Sequence, residues 1–318
     1  MNIRWQSLIL ILIILISVAL TKTDFGKAGI FLSPKNTEVT SSVNPNSSFT
    51  EEGGIRSGVG KNDEKFPTRI WSVLDSEIKA QAVLIQSLDS GFPFLHYNTY
   101  KQWPIASISK LMTAVAVLET IGENKKISIS ENAIFTEGGA GELKSGEVYS
   151  SRDLIKIMLL ASSNDAAVAF EEYAGGPDEF VRLLNKKARE LGMNDTVFYD
   201  GSGLSDLNVS TANDLLILTK YIIEKYPEIF SWTRTNSFLV EPMNSPKTRM
   251  VTNIIPFLDN RNFLGGKTGT IESSHENFLG IFLLKNYRVA VIVLGSPNRV
   301  EEVPTLLQWV ERAYTFPQ

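Results

Sequence analysis

Ser107 and Lys110 stand three residues apart in "PIASISKLMTA", where an apolar helical pattern begins: Ile108, Leu111, Met112, Val115 and Leu118 recur at helical spacing. Residues i and i+3 of a helix share a face. A serine hydroxyl is a poor nucleophile until a base takes its proton. A lysine becomes such a base when burial or a neighbouring positive charge lowers its pKa. A helix start also leaves backbone N–H groups unpaired, and one of them can stabilise a developing oxyanion. By itself the pair is weak: Ser76 and Lys79 repeat it, and a capping serine beside a solvated lysine is its ordinary meaning.

Two other stretches carry chemistry-bearing side chains. In "LLASSNDAA", Ser162, Ser163 and Asn164 interrupt an apolar segment. That places a hydroxyl and an amide at a buried or cleft-facing position, suited to relaying a proton and holding a carbonyl. Ser-x-Asn also occurs at Ser42–Asn44, Ser130–Asn132 and Ser296–Asn298, so alone it reads as a helix break with local side-chain-to-backbone bonds. In "FLGGKTGTIESS", Gly265, Gly266 and Gly269 on an expected strand imply close approach of another backbone or a ligand. Lys267 and Thr268 add a cation and a hydroxyl fit for a carboxylate. A phosphate loop is excluded: the Walker pattern needs a glycine where Arg261 stands, and no helix pattern follows.

The elements that must position these residues follow from periodicity and turn chemistry. "AQAVLIQSLDSGFPFLHYN" reads as a hairpin about Ser90–Gly91. The helix carrying Ser107 comes next. A helical segment capped at Ser150 or Ser151 runs to Gly175–Gly176, broken at the Ser-x-Asn. Further helices stop at Gly192 and start from Ser210 or Thr211. "GGKTGT", "ENFLGIFLLKN" and "YRVAVIVLGS" read as three strands, the last two joined at Lys285–Asn286, and "EEVPTLLQWVERAY" closes the chain as a helix. Strands at both ends with helices between argue against a parallel doubly wound sheet. The expected fold class is α+β: an antiparallel sheet flanked by helices, with a helical subregion over residues 120–225.

Composition narrows the chemistry. The chain of 318 residues has 43% hydrophobic residues, enough for a sizeable core, and a formal net charge of -4 without a basic aromatic-laced stripe, so nucleic acid is not an expected partner. With no cysteine and only His96 and His275, thiol chemistry is excluded, and a histidine triad or histidine-rich metal site is not expected. No metal and no cofactor are expected. Arg4 followed by the apolar run Leu8–Leu20 marks residues 1–20 as an N-terminal membrane anchor or a cleaved signal, with the rest outside the cytoplasm. Residues 21–68 are polar and turn-rich, an expected flexible linker. Residues 69–318 form the expected catalytic domain.

In order and at wide spacing, Ser-x-x-Lys, Ser-x-Asn and Lys-Thr-Gly resemble the signature of the penicillin-binding protein and serine β-lactamase superfamily. "PIASISKLMTA", "LKSGEVYSSRDLIKIMLLASSNDAAVAFEEYAGG", "SGLSDLNVSTANDL" and "GGKTGT" are similar to segments of the low-molecular-mass D-alanyl-D-alanine carboxypeptidases, over roughly residues 70–315. The resemblance implies a β-lactamase/transpeptidase-like fold with Ser107 as acylated nucleophile, Lys110 as its base and Ser162 as proton shuttle. It implies that Asn164 binds the substrate amide, Lys267 gives electrostatic support, and Thr268 binds the terminal carboxylate. The N–H groups of Ser107 and Thr270 would form the oxyanion hole beside Gly269. The implied partners are the D-Ala-D-Ala stem peptide of peptidoglycan and, as inhibitors, β-lactams.

The pattern departs from the family in places. Arg299 is the nearest candidate for a carboxylate-binding arginine, at a different local spacing. The β-rich domain and C-terminal amphipathic anchor common in the family are not expected after so short a stretch beyond Lys267, leaving anchoring to the N-terminus. A class A β-lactamase needs a carboxylate where Leu204 stands, with Asp206 the one nearby substitute. Other readings of the same motifs are a DD-endopeptidase and a non-catalytic penicillin-sensing or wall-binding module.

Overall fold

The computed structural model describes residues 66–317. Five strands make the central sheet: β1 (Ala82–Ser87), β2 (Pro93–Tyr97), β3 (Phe263–Ile271), β4 (His275–Leu284) and β5 (Tyr287–Ser296). They are hydrogen-bonded in the order β3-β4-β5-β1-β2, every pair antiparallel, so β3, with the Lys-Thr-Gly residues, is an edge strand.

β1 and β5 are apolar almost throughout because both sheet faces are covered. Ala82, Leu84, Ala290, Ile292 and Leu294 belong to the core on one face, and Val83, Ile85, Val289, Val291 and Val293 to the core on the other. The second face is closed by the C-terminal helix through Val303, Leu306 and Val310, with Phe257, Phe263, Phe278 and Phe282 clustered beside it. Besides a single helical turn at Glu131–Ile134, the first face carries six helices among the described residues: α1 (Lys110–Thr120), α2 (Ser151–Leu160), α3 (Asn164–Tyr173), α4 (Pro177–Leu191), α5 (Ala212–Lys225) and α6 (Glu228–Thr233). The C-terminal helix is α7 (Arg299–Ala313). Each side chain of this size taken fully out of water stabilises the fold by about 1.5–3 kcal/mol.

The caps lie where the sequence places them. Ser150 accepts from Asp153 N–H at the start of α2, Thr211 accepts from Asp214 N–H at the start of α5, and Gly192 ends α4 with φ 79°. The helical segment from Ser151 to Tyr173 is two helices, since Ala161–Ser163 leave the helical path. Thr68, expected in the linker, pairs with Thr315 in a short ribbon. Two ribbons, Lys126–Ser128 with Val148–Ser150 and Ser237–Val240 with Arg249–Thr252, are too short to show periodicity in sequence. The expected membrane segment and most of the linker lie outside the described residues. Among the described residues no helix is long and apolar enough to cross a membrane.

Candidate active site

Ser107 is on a 3-10 turn, Ala106–Ser109, that leads into α1 at Lys110. The expected α-helical first turn is thus wound tighter. Residues i and i+3 still align, because a 3-10 helix has three residues per turn. Ala106 has φ 49°, a left-handed conformation that a non-glycine residue adopts at a cost of about 1–3 kcal/mol and that recurs at functional sites. Neighbours hold the turn in place. Ser109 Oγ donates to Ala106 O at 2.9 Å, Ile105 N–H donates to Asn208 O at 2.9 Å, and Asn208 Nδ2 donates to Ser109 Oγ at 3.1 Å.

Lys110 is fully buried, whereas Ser107 is half-exposed to the cleft. The Lys110 Nζ lies 2.9 Å from Ser107 Oγ, 2.7 Å from Asn164 Oδ1 and 2.5 Å from Ser202 O. Burial pushes the amine down to about 7, against the pull of the Asp200 and Glu171 carboxylates. An uncharged amine has two N–H donors and one lone pair. The Ser202 carbonyl can only accept. So can Asn164 Oδ1, because Asn164 Nδ2 is fixed by donating to Glu137 O at 2.7 Å. Both N–H groups therefore have partners, and the lone pair is left facing the Ser107 hydroxyl.

Ser162 sits in the break between α2 and α3 with φ 58°, half-buried. Ser163 caps α3 by accepting from Ala166 N–H, which turns Asn164 inward. Lys267 reaches across from β3: its Nζ donates to Ser162 Oγ at 2.9 Å and to Thr268 O at 2.9 Å. Lys267 is fully buried, and burial, Lys110 and Arg299 together hold its pKa well below the ordinary lysine value.

β3 lies directly against the serine turn. A Cβ on Gly269 would meet Ile105 O at 2.6 Å and Ala106 Cβ at 3.2 Å, so only glycine permits this approach. Thr268 is buried and Thr270 is exposed. From the first turn of α7, Arg299 Nη1 donates to Gly269 O at 2.9 Å and to Thr270 Oγ1 at 2.7 Å. The hydroxyl beside Arg299 is thus that of Thr270, a residue singled out in the sequence for its N–H alone.

All nine sequence-derived residues, Ser107, Lys110, Ser162, Asn164, Lys267, Thr268, Gly269, Thr270 and Arg299, fall on three segments and one helix start that meet at this cleft. The duplicates of the motifs within the described residues do not take part, and Ser42–Asn44 lies outside them. Ser130 caps a short helix by accepting from Ala133 N–H, and Ser76 is half-exposed with its Oγ donating to Glu77 O. His275 stacks on Trp103 with ring centroids 6.5 Å apart, and His96 is exposed beside Gln86. Sequence reasoning missed the carbonyls of Ser202 and Glu137, since a backbone acceptor leaves no side-chain signal. The glycines of "DGSGLSD" were the available hint: Gly203 has φ 83°, and a Cβ there would lie 2.1 Å from Ala106 O.

Comparison with known proteins places the chain in a family. Residues 70–298 match the peptidase S11 family, described as D-alanyl-D-alanine carboxypeptidase. The chain is 33% identical over 252 residues to a D-alanyl-D-alanine endopeptidase of Escherichia coli (strain K12), covering 76% of this chain and 80% of the relative. It is 30% identical to the D-alanyl-D-alanine carboxypeptidase DacF of Bacillus subtilis (strain 168), covering 77% of this chain and 64% of that one. The crystal structure of penicillin-binding protein D2 from Listeria monocytogenes in its cefotaxime-bound form superposes with TM-score 0.65 at 27% identity, covering 74% of this chain and 99% of that one. A buried lysine facing a serine, a second lysine facing a second serine, and a glycine-lined edge strand beside them are thus joined to a match over most of the folded chain, and the protein belongs to the peptidase S11 family, the D-alanyl-D-alanine carboxypeptidases.

Proposed function

We propose that Ser107 is the acylated nucleophile of a serine D-Ala-D-Ala carboxypeptidase that trims peptidoglycan stem peptides. The carrying observation is the Lys110 amine, 2.9 Å from Ser107 Oγ with its two N–H groups engaged elsewhere. Ser107 Oγ attacks the carbonyl of the penultimate D-Ala while its proton passes to Lys110. The Ser107 and Thr270 N–H groups receive the oxyanion. Ser162, its oxygen already accepting from Lys267, delivers a proton to the departing D-Ala amine and is replenished by the proton that Lys110 took from Ser107. Asn164 holds the substrate amide, and Thr268, Thr270 and Arg299 hold the terminal carboxylate. Water then attacks the ester and frees Ser107 and the shortened peptide.

β-Lactams acylate the same serine and leave it slowly. A class A β-lactamase reading lacks its carboxylate: Asp206 is exposed, and both Asp200 oxygens are occupied by donors of its own loop. An endopeptidase reading is favoured by relatives named as D-alanyl-D-alanine endopeptidases, the Escherichia coli protein at 33% identity among them. Apolar Leu8–Leu20 after Arg4 supports an anchor that keeps the enzyme at the outer face of a bacterial membrane, with secretion after cleavage as the alternative.

The test is incubation with a D-Ala-D-Ala pentapeptide and with cross-linked muropeptides, read by mass, beside labelling with a fluorescent penicillin. Loss of terminal D-Ala supports the carboxypeptidase, and cleavage of cross-links alone supports the endopeptidase. Labelling without turnover favours a sensing module. Undiminished activity in Ser107→Ala would overturn the assignment.

A further inference from the structure

The turn that carries Ser202 is fastened at many points. Asp200 Oδ1 accepts from Ser202 Oγ at 2.9 Å and from Gly203 N–H at 2.5 Å, and Oδ2 accepts from Ser205 N–H at 2.6 Å. Glu171 Oε1, from α3, accepts from Gly201 N–H at 2.7 Å, and Thr113 Oγ1, from α1, donates to Gly201 O at 2.7 Å. Asn208 Nδ2 donates to Asp200 O at 3.0 Å and to Ser109 Oγ at 3.1 Å. The turn is therefore tied to the 3-10 turn at Ser109 and to α1 at Thr113, on either side of Lys110. Its Ser202 carbonyl falls on Nζ.

We propose that Asp200 is a positioning residue for this reaction: by closing the turn it holds the Ser202 carbonyl on Lys110, and with Glu171 it sets negative charge behind the amine. The inference rests on the acyl-enzyme reading above. Two effects act together. The Ser202 carbonyl takes one of the amine's N–H groups, so it decides which way the lone pair faces. The carboxylates act against burial, which lowers the basicity of Lys110. The charged groups facing Lys110 are Asp200 from the loop, Glu171 from α3 and, with opposite effect, Lys267 from β3. A base is most effective when its pKa lies close to the working pH, and this balance holds Lys110 there.

The test is the rate of Ser107 acylation by a fluorescent penicillin from pH 5 to 9, in the full-length protein and three variants. In Asp200→Asn the midpoint of the acid limb should fall by about one pH unit, the scale set by removing an opposite charge near a titrating group. The plateau rate should fall roughly tenfold, as a weaker base in a looser turn demands. Glu171→Gln keeps an acceptor for Gly201 N–H but loses the charge, so its midpoint should move the same way. It carries the test alone should Asp200→Asn fail to fold. Asp206→Asn removes an exposed carboxylate of the same loop and should leave the midpoint in place. An unmoved midpoint in Asp200→Asn and Glu171→Gln, or an equal shift in Asp206→Asn, overturns the inference while the acyl-enzyme reading stands. Absence of labelling in the unmodified protein overturns both.

Discussion

Lys267 Nζ donates to Ser162 Oγ at 2.9 Å, a hydrogen bond that joins the edge strand of the sheet to the break between two helices. It spans 105 residues of sequence and ties the sheet to the helical region at the cleft. Because that oxygen already accepts, the Ser162 proton is directed to whatever occupies the cleft. Lys110 Nζ stands at the same distance, 2.9 Å, from Ser107 Oγ.

The state of Lys110 sets the pH dependence. In the proposed mechanism acylation needs the neutral amine, so the rate should rise as pH climbs through about 7. Stability follows the same group. Its folded pKa is depressed, so between about 7 and the ordinary lysine value the unfolded chain binds more protons, and folding gains stability as pH rises through that window. Lys110→Met should abolish labelling by fluorescent penicillin. Its melting temperature should compare with that of the unmodified protein more favourably at pH 6 than at pH 9. Thermal melts at the two pH values check this, and an equal difference at both would count against a buried titrating amine.

Ser162 combines a chemical and a conformational requirement. Ser162→Ala should slow acylation roughly 10²–10⁴-fold, the usual contribution of a proton-transferring group. Ser162→Gly should be as slow but more stable than Ser162→Ala by about 1 kcal/mol, because φ 58° suits glycine and strains alanine. Acylation kinetics and calorimetry on the pair separate the two effects.

Gly269 tests the contact between strand and turn. Alanine there would place a Cβ 2.6 Å from Ile105 O and push β3 from Ser107. A displacement near 1 Å costs on the order of 10²-fold in rate. Gly269→Ala should lose that much in kcat/KM while keeping its helical circular dichroism.

Arg299 tests carboxylate recognition. Its guanidinium is held at Gly269 O and Thr270 Oγ1, and among the described residues Nε finds only Glu276, at 3.8 Å. Arg299→Ala should reduce kcat/KM on a D-Ala-D-Ala peptide about 10–100-fold, the scale of a charge-assisted hydrogen bond. It should have far less effect on the same peptide bearing a C-terminal amide. Equal losses on both peptides would remove Arg299 from substrate binding.

The sequence by itself named the nine candidate residues, the antiparallel sheet, the hairpin at Ser90–Gly91, a helix capped at Ser150 or Ser151, another at Ser210 or Thr211, and the helix stop at Gly192. Those features are written in side-chain periodicity, caps and glycines, which act over a few residues. Only the tertiary structure decided the rest. It set the left-handed turns at Ala106 and Ser162, the pairing of Arg299 with Thr270, and the carbonyls of Ser202 and Glu137 that fix Lys110 and Asn164. A backbone carbonyl is present at every residue, so its use is set by which segments the core brings together. Here the core presses the loop at Gly203 and the strand at Gly269 against one turn of helix, and the basicity of Lys110 follows from that contact.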